Sequence, residues 1–216
     1  MNSKNLKKRF ITSIILLFFI FLIFRYSFFM VYGLIIIGIF SLIEFSKITK
    51  KICKKKLNEI FLNSLFIIYI FTFCFFFFFL AHFFQLKIIL FIILLGCVAS
   101  DIGGFIFGKY FKGPKLTKIS PNKTISGAIG SFILTSVFVL LLFNYFSINL
   151  NLKILIISLT TSLGCQVGDL FFSYLKRKAK VKDTSNFLPG HGGVLDRIDG
   201  IIVGVPVGYI TLTFFY

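Results

Sequence analysis

The chain has 216 residues, 57% of them hydrophobic and only 14% charged, with a mean hydropathy of +0.97. Soluble domains carry about 45–50% apolar and about 25% charged residues, so a soluble globule with a polar coat is excluded and the apolar residues must face lipid. The net charge of +17 comes from bases in short runs between long apolar stretches, a pattern of membrane topology and contact with anionic headgroups rather than of nucleic-acid binding, and no nucleic-acid partner is expected.

In chain order, about seven apolar runs have the length of a membrane span. They lie near Phe10–Phe24, Phe28–Ser46, Glu59–His82, Leu86–Gly108, Ile125–Ser147, Leu152–Leu175 and Gly200–Tyr216. The fold class this predicts is an all-α polytopic integral membrane protein. The first run follows Lys7-Lys8-Arg9 as in a signal peptide, but no small-residue cleavage site follows, so it reads as a retained helix. It is short, and the first two runs stand either as separate spans or as one long, broken element. Residues 1–84 form an N-terminal set of transmembrane helices and 85–216 a C-terminal catalytic region, together one membrane-embedded unit.

The bases fix the orientation. Lys4, Lys7, Lys8 and Arg9 precede the first run. Lys47, Lys50, Lys51 and Lys54–Lys56 follow the second. Lys109, Lys112, Lys115, Lys118 and Lys123 follow the fourth, and Lys176, Arg177, Lys178, Lys180, Lys182 and Arg197 follow the sixth. Of the 24 basic residues, only Arg25, Lys87 and Lys153 fall on the other side. Basic loops stay in the cytoplasm, which places the N-terminus and the polar motifs there and the C-terminus outside. The expected location is the cytoplasmic (inner) membrane of a bacterium.

Cys53, Cys74, Cys97 and Cys165 form no CxxC pair, and neither a disulfide framework nor a zinc site is expected. The Phe75–Phe79 run reads as lipid-facing bulk. Gly200, Gly204 and Gly208 recur every four residues, which suits an internal packing seam or a dimer face.

The chemistry must come from few residues, because the chain has seven acids in all. Carboxylates in or near a membrane are costly and tend to be functional, unless they neutralise nearby bases. Asp169 and Ser173 are four apart and share a helix face, with Lys176 and Arg177 continuing toward the cytoplasm. Such a face suits a metal ion and its phosphate ligands, since Mg²⁺ is held by one or two carboxylates plus substrate phosphates. A second cluster is Leu188-Pro189-Gly190-His191-Gly192-Gly193-Val194-Leu195-Asp196-Arg197-Ile198-Asp199. Its glycines let backbone N–H groups approach an anion, and Asp196 and Asp199 flank the Arg197 guanidinium in sequence; His191 reads as an orienting hydrogen-bond donor. In the third cluster Asp101 sits inside an apolar run, Ser120-Pro121 breaks the chain, and Lys123 lies near a helix start as either a triphosphate contact or a topological anchor.

The segment from Ser173 to Asp199, with Ser173-Tyr174-Leu175-Lys176-Arg177, Lys182-Asp183 and Leu188 to Asp199, resembles the signature of the phosphatidate cytidylyltransferases, or CDP-diacylglycerol synthases. Asp101 with Phe107-Gly108-Lys109, and Ser120 to Thr124, resemble that family's other polar segment. The likeness is strong over the latter half and only hydrophobic in pattern before it. Ser126 stands where many relatives carry an acid or amide, and Gly104-Phe105 where many carry Ala-Tyr. The resemblance implies that CTP and phosphatidate give CDP-diacylglycerol and pyrophosphate. It implies Mg²⁺ at Asp169 and Asp196 with Ser173 nearby, a monovalent cation such as K⁺ beside it, and phosphate contacts from Lys123, Lys176, Arg177 and Arg197. Asp199 and Asp101 are supporting residues, His191, Gly192 and Gly193 line the substrate loop, and a homodimer is suggested. Two rivals are a CTP-dependent lipid-alcohol kinase, against which the Ser173–Asp199 signature argues, and a transporter, against which the lack of an internal repeat argues.

Overall fold

The protein is described by a computed structural model that covers residues 18, 21–23, 25–117, 119–146, 148, 152–187 and 192–215. Most of the first predicted span, the bases Lys4, Lys7, Lys8, Arg9 and Lys118, and His191 lie outside the described residues. The helices are α1 (Ser27–Ile52), α2 (Lys56–His82), α3 (Phe84–Phe111), α4 (Ile125–Tyr145), α5 (Leu152–Lys178) and α6 (Leu195–Thr213). An isolated β bridge joins Lys115 and Thr124.

A backbone in hydrocarbon must satisfy its own polar groups, which only helices and closed barrels do. Five helices, α1 to α5, are long and apolar enough to cross a membrane, and the chain is a polytopic all-α membrane protein. These five correspond to the second through sixth predicted runs. The seventh run is α6, whose opening residues Asp196, Arg197 and Asp199 break its apolar character and whose interior holds Pro206.

The chain folds as two compact units. The first unites the described residues up to His82 with Leu175–Ile198. Here α1 and α2 pack through stacked Phe45 and Phe66 rings, 3.8 Å between centroids, and through Thr49 Oγ1, which donates to Asn63 Oδ1 at 2.8 Å. The Phe-rich run is not uniform. Phe75, Phe78 and Phe79 are exposed as expected of lipid-facing bulk, but Phe77 is buried, because one residue in each helical turn must face the neighbouring helix.

The second unit joins Phe83–Tyr174 with Asp199–Tyr216. Its helices meet through small residues and hydroxyls. A Cβ on Gly103 would lie 2.5 Å from the Gly130 carbonyl oxygen, so α3 and α4 touch backbone to backbone. Ser100 and Ser162 hydroxyls meet at 2.9 Å, Ser131 Oγ donates to the Ser100 carbonyl at 2.7 Å, and Ser158 Oγ donates to Ser136 Oγ at 3.0 Å. Such hydroxyl contacts supply the interhelical attraction that apolar side chains lack when lipid is the solvent. The Gly200, Gly204 and Gly208 stripe faces inward. A Cβ on Gly200 would lie 2.6 Å from Cys165 Sγ and one on Gly204 2.8 Å from Cys97 Sγ, while Gly208 abuts Thr161. The stripe is therefore an internal seam. All four cysteines are free thiols.

These contacts make a sharp contrast. Gly103→Ala must push apart two backbones and should lower stability by about 1–3 kcal/mol, seen as a fall of several degrees in the unfolding midpoint in detergent. Gly38→Ala meets nothing closer than 3.6 Å and should leave that midpoint unchanged or raised, since alanine is the better helix former.

Candidate functional site

In the first unit the segment after α5 returns to open α6, and two carboxylates hold it. Asp196, in the first turn of α6, accepts from the Lys176 ammonium through Oδ1 at 2.7 Å. Its Oδ2 accepts from Thr184 N at 2.8 Å, Thr184 Oγ1 at 3.0 Å and Gly193 N at 3.0 Å. Burial opposes the charged form of Asp196. The Lys176 ammonium and the Thr184 and Gly193 N–H groups outweigh it, and the carboxyl is held below its ordinary range. Gly192 makes the close turn at φ +83°, a conformation that side chains resist, with room for only a hydrogen beside Asp196.

The second carboxylate is Glu44 of α1, which is fully buried. Its Oε2 accepts from Thr184 Oγ1 at 2.7 Å and Leu195 N at 2.8 Å. Its Oε1 accepts from Ser185 Oγ at 2.5 Å and Val194 N at 3.0 Å. The first N–H groups of a helix have no intrahelical partner, and a negative charge at that end is favoured by the helix dipole. Glu44 answers both needs at the start of α6. Phe187 packs against Phe40 with ring centroids 4.4 Å apart, and Lys47 lies over the Phe187 ring at 5.7 Å, so α1 grips the loop through three residues.

In the second unit Asp169 and Ser173 meet as their spacing predicts, with Ser173 Oγ donating to Asp169 Oδ1 at 3.4 Å. Lys123 forms an ion pair with Asp169 Oδ2, and both side chains are only about a third exposed or less. Lys123 is placed by the turn that begins at Ser120, whose carbonyl accepts from Lys123 N at 3.0 Å, and by Thr124, which caps α4 by accepting from Gly127 N at 3.1 Å. Ser126 Oγ donates to the Lys112 carbonyl, so the residue that departs from the family pattern closes the loop between α3 and α4. Asp101 accepts from the Cys165 thiol at 3.6 Å. Asp199 Oδ1 accepts from Gly200 N at 2.9 Å. Arg177 donates to the Val181 carbonyl at 3.4 Å, and Arg197 is exposed.

Sequence reasoning paired neither Lys123 with Asp169 nor Lys176 with Asp196, and it passed over Glu44, Thr184 and Ser185. The signal for Glu44 was present: it is a carboxylate inside an apolar run, the mark that singled out Asp101 and Asp169. Its helix lay outside the family signature, and the six lysines that follow it between Lys47 and Lys56 offered an ordinary neutralising role.

The donor chemistry fits Mg²⁺ unequally. Asp169 with Ser173 offers hard oxygens of the kind Mg²⁺ takes, on a part-exposed carboxylate. Asp169 has two partners, Ser173 and Lys123, whereas Asp196 has four contacts, three of them on Oδ2, so its carboxylate has less capacity left for a metal ion. Among the described residues no three His, Cys, Asp or Glu side chains cluster as a ready-made metal cage, which is the usual state for Mg²⁺ sites completed by substrate phosphates.

A polytopic helical membrane protein with acid–base pairs beside helix termini is thus in hand. Comparison with known proteins gives its family: the chain belongs to the cytidylyltransferase family, whose pattern matches residues 1–215. It is 44% identical over 128 residues to a phosphatidate cytidylyltransferase of Rickettsia prowazekii, covering 55% of this chain and 56% of that protein. It is 40% identical over 126 residues to one of Helicobacter pylori, covering 56% and 46%, and 42% identical over 115 residues to one of Staphylococcus aureus, covering 52% and 44%. The matched part spans about half the length of these curated relatives.

The lowered Asp196 value carries a sign. A carboxyl whose folded value lies below its unfolded value, about 3.9, stabilises its surroundings above that pH and ceases to do so as pH falls through the folded value. Amide exchange at Thr184 and Gly193, corrected for intrinsic rates, should therefore stay slow from neutral pH to about 4 and rise below it. Asp196→Ala, which removes the acceptor, should be unprotected at these amides at every pH; a pH-independent difference of zero between the two proteins would refute the anchor.

Proposed function

We propose that the protein transfers the cytidylyl group of CTP to phosphatidate, giving CDP-diacylglycerol and pyrophosphate. The observation that carries this reading is the pairing of two candidate bases with candidate carboxylates, Lys123 with Asp169 and Lys176 with Asp196, in a chain of the cytidylyltransferase family. The names of its relatives agree with it. In this reaction a lipid phosphate oxygen attacks the α-phosphorus of CTP and the bond to the β-phosphate oxygen breaks, so pyrophosphate leaves with the bonding electrons. No proton acceptor is required if the attacking phosphate is ionised. What the protein must supply is in-line placement and positive charge around two anions.

Lys123, Lys176, Arg177 and Arg197 are the proposed phosphate contacts, and Gly192 and Gly193 the proposed close backbone approach, with His191, Asp101 and Asp199 in support. Asp169 and Ser173 would hold Mg²⁺, with Asp196 a second carboxylate; the ion, when bound, offsets charge on the triphosphate and on the leaving pyrophosphate. K⁺ is proposed as a companion ion and a second copy of the chain as a partner. The proposed topology has seven crossings with the N-terminus and the basic loops in the cytoplasm of a bacterial inner membrane. It is supported by the alternation of helix connections, since the links from α1 to α2, α3 to α4 and α5 to α6 are basic and the others are not. Residues 85–216 are proposed as the catalytic region.

The test is transfer of label from α-³²P-CTP into chloroform-soluble lipid by the purified chain with phosphatidate, Mg²⁺ and K⁺. Lipid label with matching pyrophosphate release is expected, and Asp169→Asn should cut the rate by at least about 100-fold, the scale of losing one positioned charge-stabilising group. Release of CDP instead of pyrophosphate would indicate the lipid-alcohol kinase. Full activity in Asp169→Asn would keep the reaction and remove Asp169 from it.

A further inference from the structure

We propose that Glu44, in a helix remote in sequence from every candidate site residue, is the positioning residue for the CTP-phosphate loop, an inference that rests on the reaction proposed above. Four donors converge on its carboxylate: the hydroxyls of Thr184 and Ser185 and the backbone N–H groups of Val194 and Leu195, at 2.5–3.0 Å. Each oxygen faces one hydroxyl and one N–H. An N–H can only donate, so both oxygens serve as acceptors.

The arrangement differs from an ordinary buried ion pair. Among the described residues no ion pair joins Glu44 to a lysine or arginine; it is matched by neutral donors and by the positive end of α6. Charge neutralisation is therefore not its task. Its donors come from both ends of one loop, Thr184 and Ser185 at the start and Val194 and Leu195 at the finish, so the carboxylate closes the loop as a clasp. Thr184 Oγ1 also touches Asp196 Oδ2 at 3.0 Å, and Asp196 holds Lys176. A path of direct contacts thus runs from Glu44 through Thr184 to Asp196 and Lys176, and the same clasp sets where α6 begins and hence where Arg197 emerges. A Cβ on Gly193 would lie 2.5 Å from Glu44 Oε2, so the glycine is the spacing that this carboxylate demands.

Glu44→Gln keeps the shape but turns one oxygen into an NH₂ group. A hydroxyl can rotate to accept from it; the facing N–H cannot, and is left buried without a partner. The loop should loosen while α1 and α2 stay packed. In the full-length chain, tryptic cleavage after Lys180 and Lys182, followed by mass spectrometry, should speed up at least about tenfold. KM for CTP should rise by about tenfold, with kcat changed by less than about threefold and KM for phosphatidate unchanged, the size of one lost hydrogen bond to a charged group. Ser185→Ala, which removes one donor from the loop side, should move both readouts the same way by less, and serves if Glu44→Gln does not fold. Thr49→Val removes the α1–α2 hydrogen bond to Asn63 and should move neither. Unchanged cleavage in both Glu44→Gln and Ser185→Ala would overturn the clasp. Faster cleavage with unchanged KM for CTP would overturn the assignment to the nucleotide. If the unaltered chain transfers no label from CTP, the proposed reaction fails and takes the nucleotide half of this inference with it, while the cleavage comparison still decides the clasp.

Discussion

A carboxylate buried in a helix of a membrane protein has to be surrounded by donors before the chain gains anything by folding there, and Glu44 is where this constraint is met. Burying an ionised group without compensation costs far more than a typical domain's whole stability. The compensation comes from residues about 140 to 151 positions later in the chain. The loop between α5 and α6 is therefore not a free connection. Its two ends are tied to one point on α1, and the second carboxylate, Asp196, takes up the N–H groups between them. Together the two acids accept from the N–H groups of Thr184, Gly193, Val194 and Leu195.

The second unit depends on a different constraint, the closeness of its helix axes. Gly103 against Gly130 and Gly168 against the Asp199 carbonyl leave no space for a methyl group, and hydroxyls fill the remaining depth with hydrogen bonds. The consequence for the site is positional. Asp169 and Ser173 lie on α5 one and five residues beyond Gly168, and where they stand is fixed by a seam that tolerates only hydrogen at its contact points. Sites on rigid elements hold their geometry better than sites on loops, and here the seam supplies the rigidity.

The fold class was plain in the sequence because lipid leaves few options: long apolar runs spaced by basic loops leave helices as the reading. The Asp169–Ser173 pair was also legible, since i and i+4 on a helix is fixed geometry. The inward sense of the Gly200–Gly208 stripe was not, because small-residue spacing is the same for a seam and a dimer face. The ion pairs were out of reach for another reason. Lys123 and Asp169 are joined by a turn and two helices, and pattern fixes the helices but not their azimuth. Glu44 was visible as an oddity yet its donors were not, because Thr184 and Ser185 look like any polar loop residues until a carboxylate is brought to them. Even the Phe run shows the limit: composition assigns five phenylalanines to lipid, and helical geometry takes Phe77 back.

Each of the two ion pairs also bears on how its own unit would meet a triphosphate under the proposed reaction. Lys123 and Lys176 are each held by a carboxylate, so each pair is neutral as it stands. A triphosphate approaching either ammonium competes with an aspartate for it, and would leave that aspartate uncompensated in a half-buried place. A divalent cation bound with the triphosphate would ease this, because the carboxylate could hold the metal while the lysine contacts phosphate. The exchange is easier at Asp169, whose only other described contact is the long one to Ser173, than at Asp196, which would have to give up contacts that close the loop. Under the proposed reaction the two aspartates need not do the same work: Asp169 would change partners, and Asp196, with Glu44 behind it, would keep them.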